Sequence, residues 1–330
     1  MKNNTWNQHF ISQVEQRLNA ISSEVSKEKQ KIYSFNVVDR ENYNIELVSE
    51  TGKLIEKNLS FDDLFTFEIL TEGQRLNFEN VFRKYEDDVG RLTKSLLRKI
   101  KTSNSVENEV FKIFTLKLLN TFRNPYNIKE TLSIINNSIN YYPNDDVLKS
   151  LHEKIDNFSH PKESSITEKY AVSIKEYKEW MKSLFIVLVP KVEGGKNILE
   201  SIAESLFYSG GQSPFVFVCD FSGIDGGHPL LSDRGHTVLN YDDKVIRYEF
   251  NLSSVAYISY MFADVKDYAE SKGIDVNMIN GILRFNNKNP PRIKVALRKD
   301  ESELLSNYNK NVIFQSFNTV FCKSKIIYGL

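Results

Sequence analysis

The densest group of reactive side chains in the sequence follows an apolar run at Pro214 to Val218. It reads Cys219-Asp220-Phe221-Ser222-Gly223-Ile224-Asp225-Gly226-Gly227-His228-Pro229-Leu230-Leu231-Ser232-Asp233-Arg234-Gly235-His236. Neutral imidazoles and carboxylates are the usual ligands of divalent cations, and a His beside an Asp can also serve as a general base. Asp220, Asp225, His228 and His236 are therefore the candidate metal ligands, with the identity of the metal open. The glycines would let the backbone approach a ligand closely. The same composition suits a solvated loop rich in turn formers, and the segment matches no defined metal motif. His9 is a second candidate base, although a single His on an amphipathic segment more often serves as a structural hydrogen-bonder.

Familiar nucleotide and nucleophile signatures are absent. There is no phosphate loop, no Gly-x-Gly-x-x-Gly and no Gly-x-Ser-x-Gly elbow. Gly194-Gly195-Lys196 lacks the first glycine and the Ser/Thr of a phosphate cradle, so a turn before a helix is expected there. Acidic and basic residues balance at 43 each in 330 residues, which supplies no global basic field for nucleic acid. Cys219 and Cys322 show no paired spacing, which argues against a disulfide framework and for a reducing, cytoplasmic setting. The first ten residues are polar. The longest apolar stretch, Leu184 to Pro190, falls far short of the ~20 residues of a membrane helix.

The elements that would position these residues point to an α+β protein. The expectation is a mostly helical region over 1–160 with an N-terminal β-hairpin, followed by a strand-richer mixed region over 161–330. The two are either separate or one integrated domain. Phe10, Val14, Leu18 and Ile21 fall at helical spacing within Trp6 to Ile21. Ile32 to Val38 and Tyr43 to Val48 read as the hairpin, with a further strand near Leu54-Ile55. Residues 74–125 read as two long helices. The first carries a stripe of Phe78, Phe82, Tyr85, Val89, Leu92 and Leu96; the second is apolar nearly all round and ends at Pro125. Further helices are expected over 129–139, 145–158, 173–188, 197–208, 265–271 and 301–308, and in part of 312–321. Strands are expected over 214–218, 244–250, 255–262 and 293–297. The polar segment His160 to Thr167 reads as a linker.

Several short segments resemble one known family in its order. Gln8-His9-Phe10-Ile11-Ser12-Gln13 resembles the His-His-Tyr-Val-Pro-Gln signature of the domain of unknown function family 4238. The Ile32 to Val38 strand resembles its early strand. Phe122-Arg123-Asn124-Pro125 resembles its Arg-x-Pro element, and Leu231-Ser232-Asp233 its Thr-Ser-Asp segment. Phe317-Asn318-Thr319 with Ile326-Ile327-Tyr328-Gly329 resembles its closing helix and strand. Gln8 stands where the family has its first His, and Ser12 where it has Pro, so a paired-histidine couple is not available here. The family is mostly prokaryotic, and some members occur in gene clusters for defence against bacteriophages. The resemblance implies a catalytic set of His9, Asp233 and Asn318, with Gln13 and Arg123 as binding residues.

Two functions follow as expectations. One is a phage-defence effector acting as a metal-assisted nuclease or other phosphodiesterase on nucleic acid. The other is a non-catalytic sensor that binds a phage or host protein. Near-zero net charge favours the second. Convergence of His9, Asp233 and Asn318 in one cleft would favour the first. Oligomeric state is left open.

Overall fold

A computed structural model describes residues 6–69, 74–102, 105–138, 142–143, 145–156, 158, 160, 162–242, 245–271, 273–288 and 293–330. The opening segment is not one amphipathic helix. It forms a short strand, β1 (Asn7–His9), and one helical turn and a half, α1 (Gln13–Arg17). Ser12 caps α1 by accepting from the Glu15 N–H at 3.3 Å, so the helix begins late and leaves His9 on extended chain. The expected hairpin is present as β2 (Lys31–Asp39) and β3 (Asn44–Leu47), with β4 (Lys53–Leu54) on the other end of β2. Three short strands follow: β5 (Ser60–Asp62), β6 (Thr66–Ile69) and β7 (Gln74–Asn77). β5 pairs with β1, and β6 with β7.

The first long helical pattern is broken into α2 (Glu79–Glu86) and α3 (Val89–Lys99), separated at Asp87-Asp88. Next comes α4 (Glu107–Arg123), buried on nearly every side as its all-round apolar sequence requires. Glu107 and Glu109 in its first turn and Arg123 in its last complement the helix dipole. Asn124 turns extended ahead of Pro125, which stops it. Helices α5 (Ile128–Ser138), α6 (Asp146–Asp156) and α7 (Glu163–Tyr170) follow. The expected linker is thus mostly helix α7, with His160 and Ile166 buried. Capping boxes start α8 (Ile174–Leu188), at Ser173 and Glu176, and α9 (Ile198–Tyr208), at Asn197 and Glu200. Gly194 and Gly195 take positive φ in the turn before α9.

The remaining strands are β8 (Gln212–Asp220), β9 (Leu231–Ser232), β10 (Thr237–Asp242), β11 (Val245–Ser253) and β12 (Ala256–Asp264). Helices α10 (Val265–Ser271) and α11 (Val276–Lys288), strand β13 (Lys294–Lys299), helix α12 (Ser302–Gln315) and strand β14 (Thr319–Cys322) complete the chain. One sheet runs β10-β11-β12-β8-β13, antiparallel except for the parallel β8–β13 pair. A second runs β3-β2-β14-β9, so strands from both ends of the chain lie side by side. The class is α+β.

Helices α4 and α9 cover the first sheet. Phe114 sits among Phe207, Tyr260 and Phe262, with ring centroids 4.8–5.4 Å apart. Helix α12 packs between the two sheets, where Tyr308 stacks on Tyr257 at 4.1 Å. Helix α1 is locked to α4 by a buried ion pair, Lys117 Nζ to Glu15 Oε1 at 2.5 Å. Lys117 also donates to the Asn251 carbonyl at 2.7 Å, and Asn120 donates to the other Glu15 oxygen at 2.6 Å. Among the described residues, no helix is long and apolar enough to cross a membrane.

Candidate functional site

The sequence-derived residues form two separate clusters, with the metal candidates scattered apart from both. Asp233 lies just past β9, fully buried. Its carboxylate accepts from the backbone N–H groups of Phe317, Asn318 and Thr319, each at 2.8 Å. Burial pushes this carboxyl up in pKa, against the three donors that pull it down. A carboxylate so occupied is a corner-piece between β9 and β14. Asn318 presents its backbone to Asp233 and to β2, where its carbonyl accepts from Val37 at 2.9 Å; the residue itself is exposed.

His9, at the end of β1, hydrogen-bonds backbone at Ile55 and Glu56, and burial depresses its pKa to about 4. Arg123 lies nearby and fully buried. It donates to the Phe10 carbonyl at 3.2 Å and the Asn120 side chain at 2.9 Å, pairs with Glu86 at 2.5 Å and lies over the Phe82 ring. Gln13 accepts from Arg17. Burial also lifts the Glu79 carboxyl, on the adjoining start of α2, to about 7. Arg123 is therefore a bolt between β1, α2 and α4.

The metal candidates do not converge. Asp220 pairs with Lys101 at 2.5 Å, Asp225 is exposed, and His228 turns Nδ1 to the Ser254 carbonyl at 2.6 Å. His236 lies apart, at the start of β10. Among the described residues, no group of three His, Cys, Asp or Glu side chains is placed to hold a metal ion. Cys219 and Cys322 are buried, and burial raises both thiols to about 11, so neither is a thiolate nucleophile at neutral pH.

His236 instead lines a cavity of about 580 Å³ between α4, α5, α9 and the β10–β11 edge. Its body is apolar and aromatic, built from Phe114, Leu118, Phe122, Leu206 and Tyr248, with Ile134 reaching solvent. Its polar end is organised by one carbonyl, that of Arg234. His236 Nδ1 lies 3.3 Å from this oxygen, and Asn127 Nδ2 also lies 3.3 Å from it. A carbonyl has no proton to give, so Nδ1 carries the imidazole proton and Nε2 the lone pair. Burial holds His236 neutral, with a pKa of about 4. Asn127 directs its second N–H to the Thr121 carbonyl at 3.2 Å, which fixes the amide orientation and leaves Oδ1 buried without a partner. Arg234 pairs with Glu130 at 2.6 Å, and its buried Nε has no partner.

No family model, curated protein or solved structure matches the chain. The cavity therefore stands on its own chemistry. It joins an apolar and aromatic wall to polar side chains of Thr121, Asn127, Glu130, Thr131, Arg234 and His236, with Glu130 as the one carboxylate in its lining. Sequence reasoning reached His236 as a metal ligand. Neither Asn127 nor Arg234 was a candidate, although Arg234 stands directly after Asp233. The only signal for Asn127 was the proline two residues earlier, which sets the turn that aims it.

Proposed function

We propose that this chain is a non-catalytic recognition module whose ligand site is the cavity at His236. One observation carries the reading: a cavity of ligand size joins a broad apolar and aromatic wall to a few polar residues, Thr121, Asn127, Thr131, Arg234 and His236. Pockets that combine apolar walls with a few convergent polar groups are the usual form of a binding site. The resemblance described above supplies the setting, a cytoplasmic sensor in defence against bacteriophage that responds to a phage or host component. A metal-assisted nuclease has less support, because Asp233 is occupied by backbone donors and the acidic and His residues lie apart.

The test is substitution at the cavity mouth. Ile134 is 54 % exposed, so Ile134→Trp can close the opening with little strain on the fold. Loss of phage protection with an unchanged melting temperature is the expected result. Full protection with the cavity closed sinks the reading. Mg²⁺- or Mn²⁺-dependent cleavage of DNA or RNA that disappears in His9→Ala would sink it in favour of the nuclease.

A further inference from the structure

We infer that the cavity takes an uncharged, largely apolar small molecule that carries no more than a hydroxyl or a carbonyl. The inference rests on the cavity being the ligand site and assigns the class of ligand. The walls come first. Helix α4 contributes Phe114, Leu118 and Phe122, α9 contributes Ile202 and Leu206, and the sheet edge contributes Tyr248. Apolar ligand surface leaves water against such walls, which is the main favourable term in association. The space of about 580 Å³ lies in the range of small-molecule sites.

The polar residues of the lining argue against a polar ligand, because the protein itself occupies most of them. Gln315 is tied to β10 at both ends of its amide. Its Oε1 accepts from the Val238 N–H at 2.8 Å, and its Nε2 donates to the Val238 carbonyl at 2.9 Å. The Thr121 hydroxyl donates to the Lys117 carbonyl at 3.1 Å and lies 3.5 Å from His236 Nδ1. The Asn127 amide donates to two backbone carbonyls, and its Oδ1 is buried away from any accessible surface. Arg234 and Glu130 neutralise one another at 2.6 Å, and Glu130 is exposed, so this charge sits at the solvent edge. A charged ligand would have to break that pair or lie unpaired against apolar walls, and a buried unpaired charge is costly. A polyol would give up its hydrogen bonds to water and find few here. Among the described residues, the lining groups left without a hydrogen bond in the protein are the Thr131 and Tyr248 hydroxyls and His236 Nε2. All three are neutral. A single hydroxyl or carbonyl on the ligand is the polar group that such a set accommodates.

The experiment is ligand-observed saturation-transfer NMR on the full chain at pH 7. The probes are 1-octanol and benzyl alcohol, with benzoate, benzylammonium and glucose beside them. Benzoate and benzylammonium keep the ring and add a charge of either sign. The variants are Ile134→Trp, which blocks the mouth, and Thr131→Val, which removes a free hydroxyl and keeps the shape. The expected result is that an alcohol binds more tightly than benzoate, benzylammonium or glucose. Ile134→Trp should weaken it tenfold or more, and Thr131→Val less than tenfold. Thermal melting checks that each variant is folded; should Thr131→Val fail, the probe series on the native chain still decides. Benzoate, benzylammonium or glucose that binds at least as tightly as the alcohols, and that Ile134→Trp blocks, overturns the apolar class and leaves the cavity as a site. A tenfold loss of alcohol binding in folded Thr131→Val does the same. No transfer to any probe, or transfer that Ile134→Trp leaves unchanged, overturns both.

Discussion

Asp233 and His236 stand three residues apart in the same loop, yet one closes a sheet corner and the other lines a cavity. Their types did not distinguish these roles; the strands that follow them did. Asp233 comes directly after β9, where three consecutive N–H groups at the start of β14 face its carboxylate. Asp233→Ala strands those donors in a buried site. Each buried unsatisfied group costs roughly 1–3 kcal/mol, so a loss of about 3 kcal/mol or more is expected in urea unfolding. A loss below 1 kcal/mol would show that the corner holds without the carboxylate. Glu79 gives a second prediction. Its carboxyl is raised to about 7 by burial, so its contribution to stability is complete below its ordinary value of 4.5 and fades as pH rises through 7. The histidines act in the opposite direction. With His9 and His236 held at about 4, stability falls as pH drops from 6.5 towards 4. Comparing Glu79→Gln with the native chain at one pH cancels the histidine effect. The variant should match the native melt at pH 5 and exceed it at pH 8, by about 1–3 kcal/mol. Equal melts at both values would show that Glu79 ionises normally.

At the scale of elements, legibility followed length and pattern. Helices α4, α5, α6, α8 and α9 lie within a few residues of their expected spans, because three or more turns of periodic burial leave a clear record. Strands β1, β5, β6 and β7 have three or four residues each, too few to show an alternation, and they took helical or featureless stretches by surprise. Helix α11 was invisible for another reason. Val276, Met278 and Phe285 point to solvent and Ile279 is buried, so its apolar residues mark no single face. Nor could spacing reveal that α1 and α4 would meet through charge. The Lys117–Glu15 pair is buried at 4 % exposure on both sides, and such pairs are costly to break singly. Lys117→Met leaves Glu15 as an uncompensated charge, with an expected loss of about 3–5 kcal/mol. Adding Glu15→Gln removes that charge and should recover most of the loss. A double variant as unstable as the single one would mean that the amine serves through its bond to the Asn251 carbonyl and not through the pair.

The whole molecule is tied across its length, and the sheet containing β2 makes the consequence testable. β2 lies between β3, a near neighbour in sequence, and β14, from the end of the chain. Arg40, just past β2, donates to the carbonyls of Phe314, Ser316 and Phe317 at 3.1–3.3 Å. Tyr126 stacks on Phe317 at 4.7 Å and meets Phe10 edge-on at 5.7 Å, so the first and last elements touch through one ring. Helix α4 likewise buries Val110, Ile113 and Phe114 against residues of β8, β11 and β12. A fragment of residues 1–160 would keep β2 with one edge unpaired and α4 with a large apolar face open to water. Unpaired edges and exposed apolar faces of that kind drive aggregation. The fragment would also lack Trp180, whose indole donates to the Phe122 carbonyl at 2.7 Å in the centre of the N-terminal core. The expected outcome is an insoluble product, or a soluble one that melts without a cooperative transition. A sharp, reversible melt of 1–160 would show that the contacts across the sheet are accessory and that the N-terminal core stands alone. Mixing purified 1–160 with 161–330 extends the test. If β2 and β14 are obligate neighbours, the two fragments should gain a cooperative melt only together.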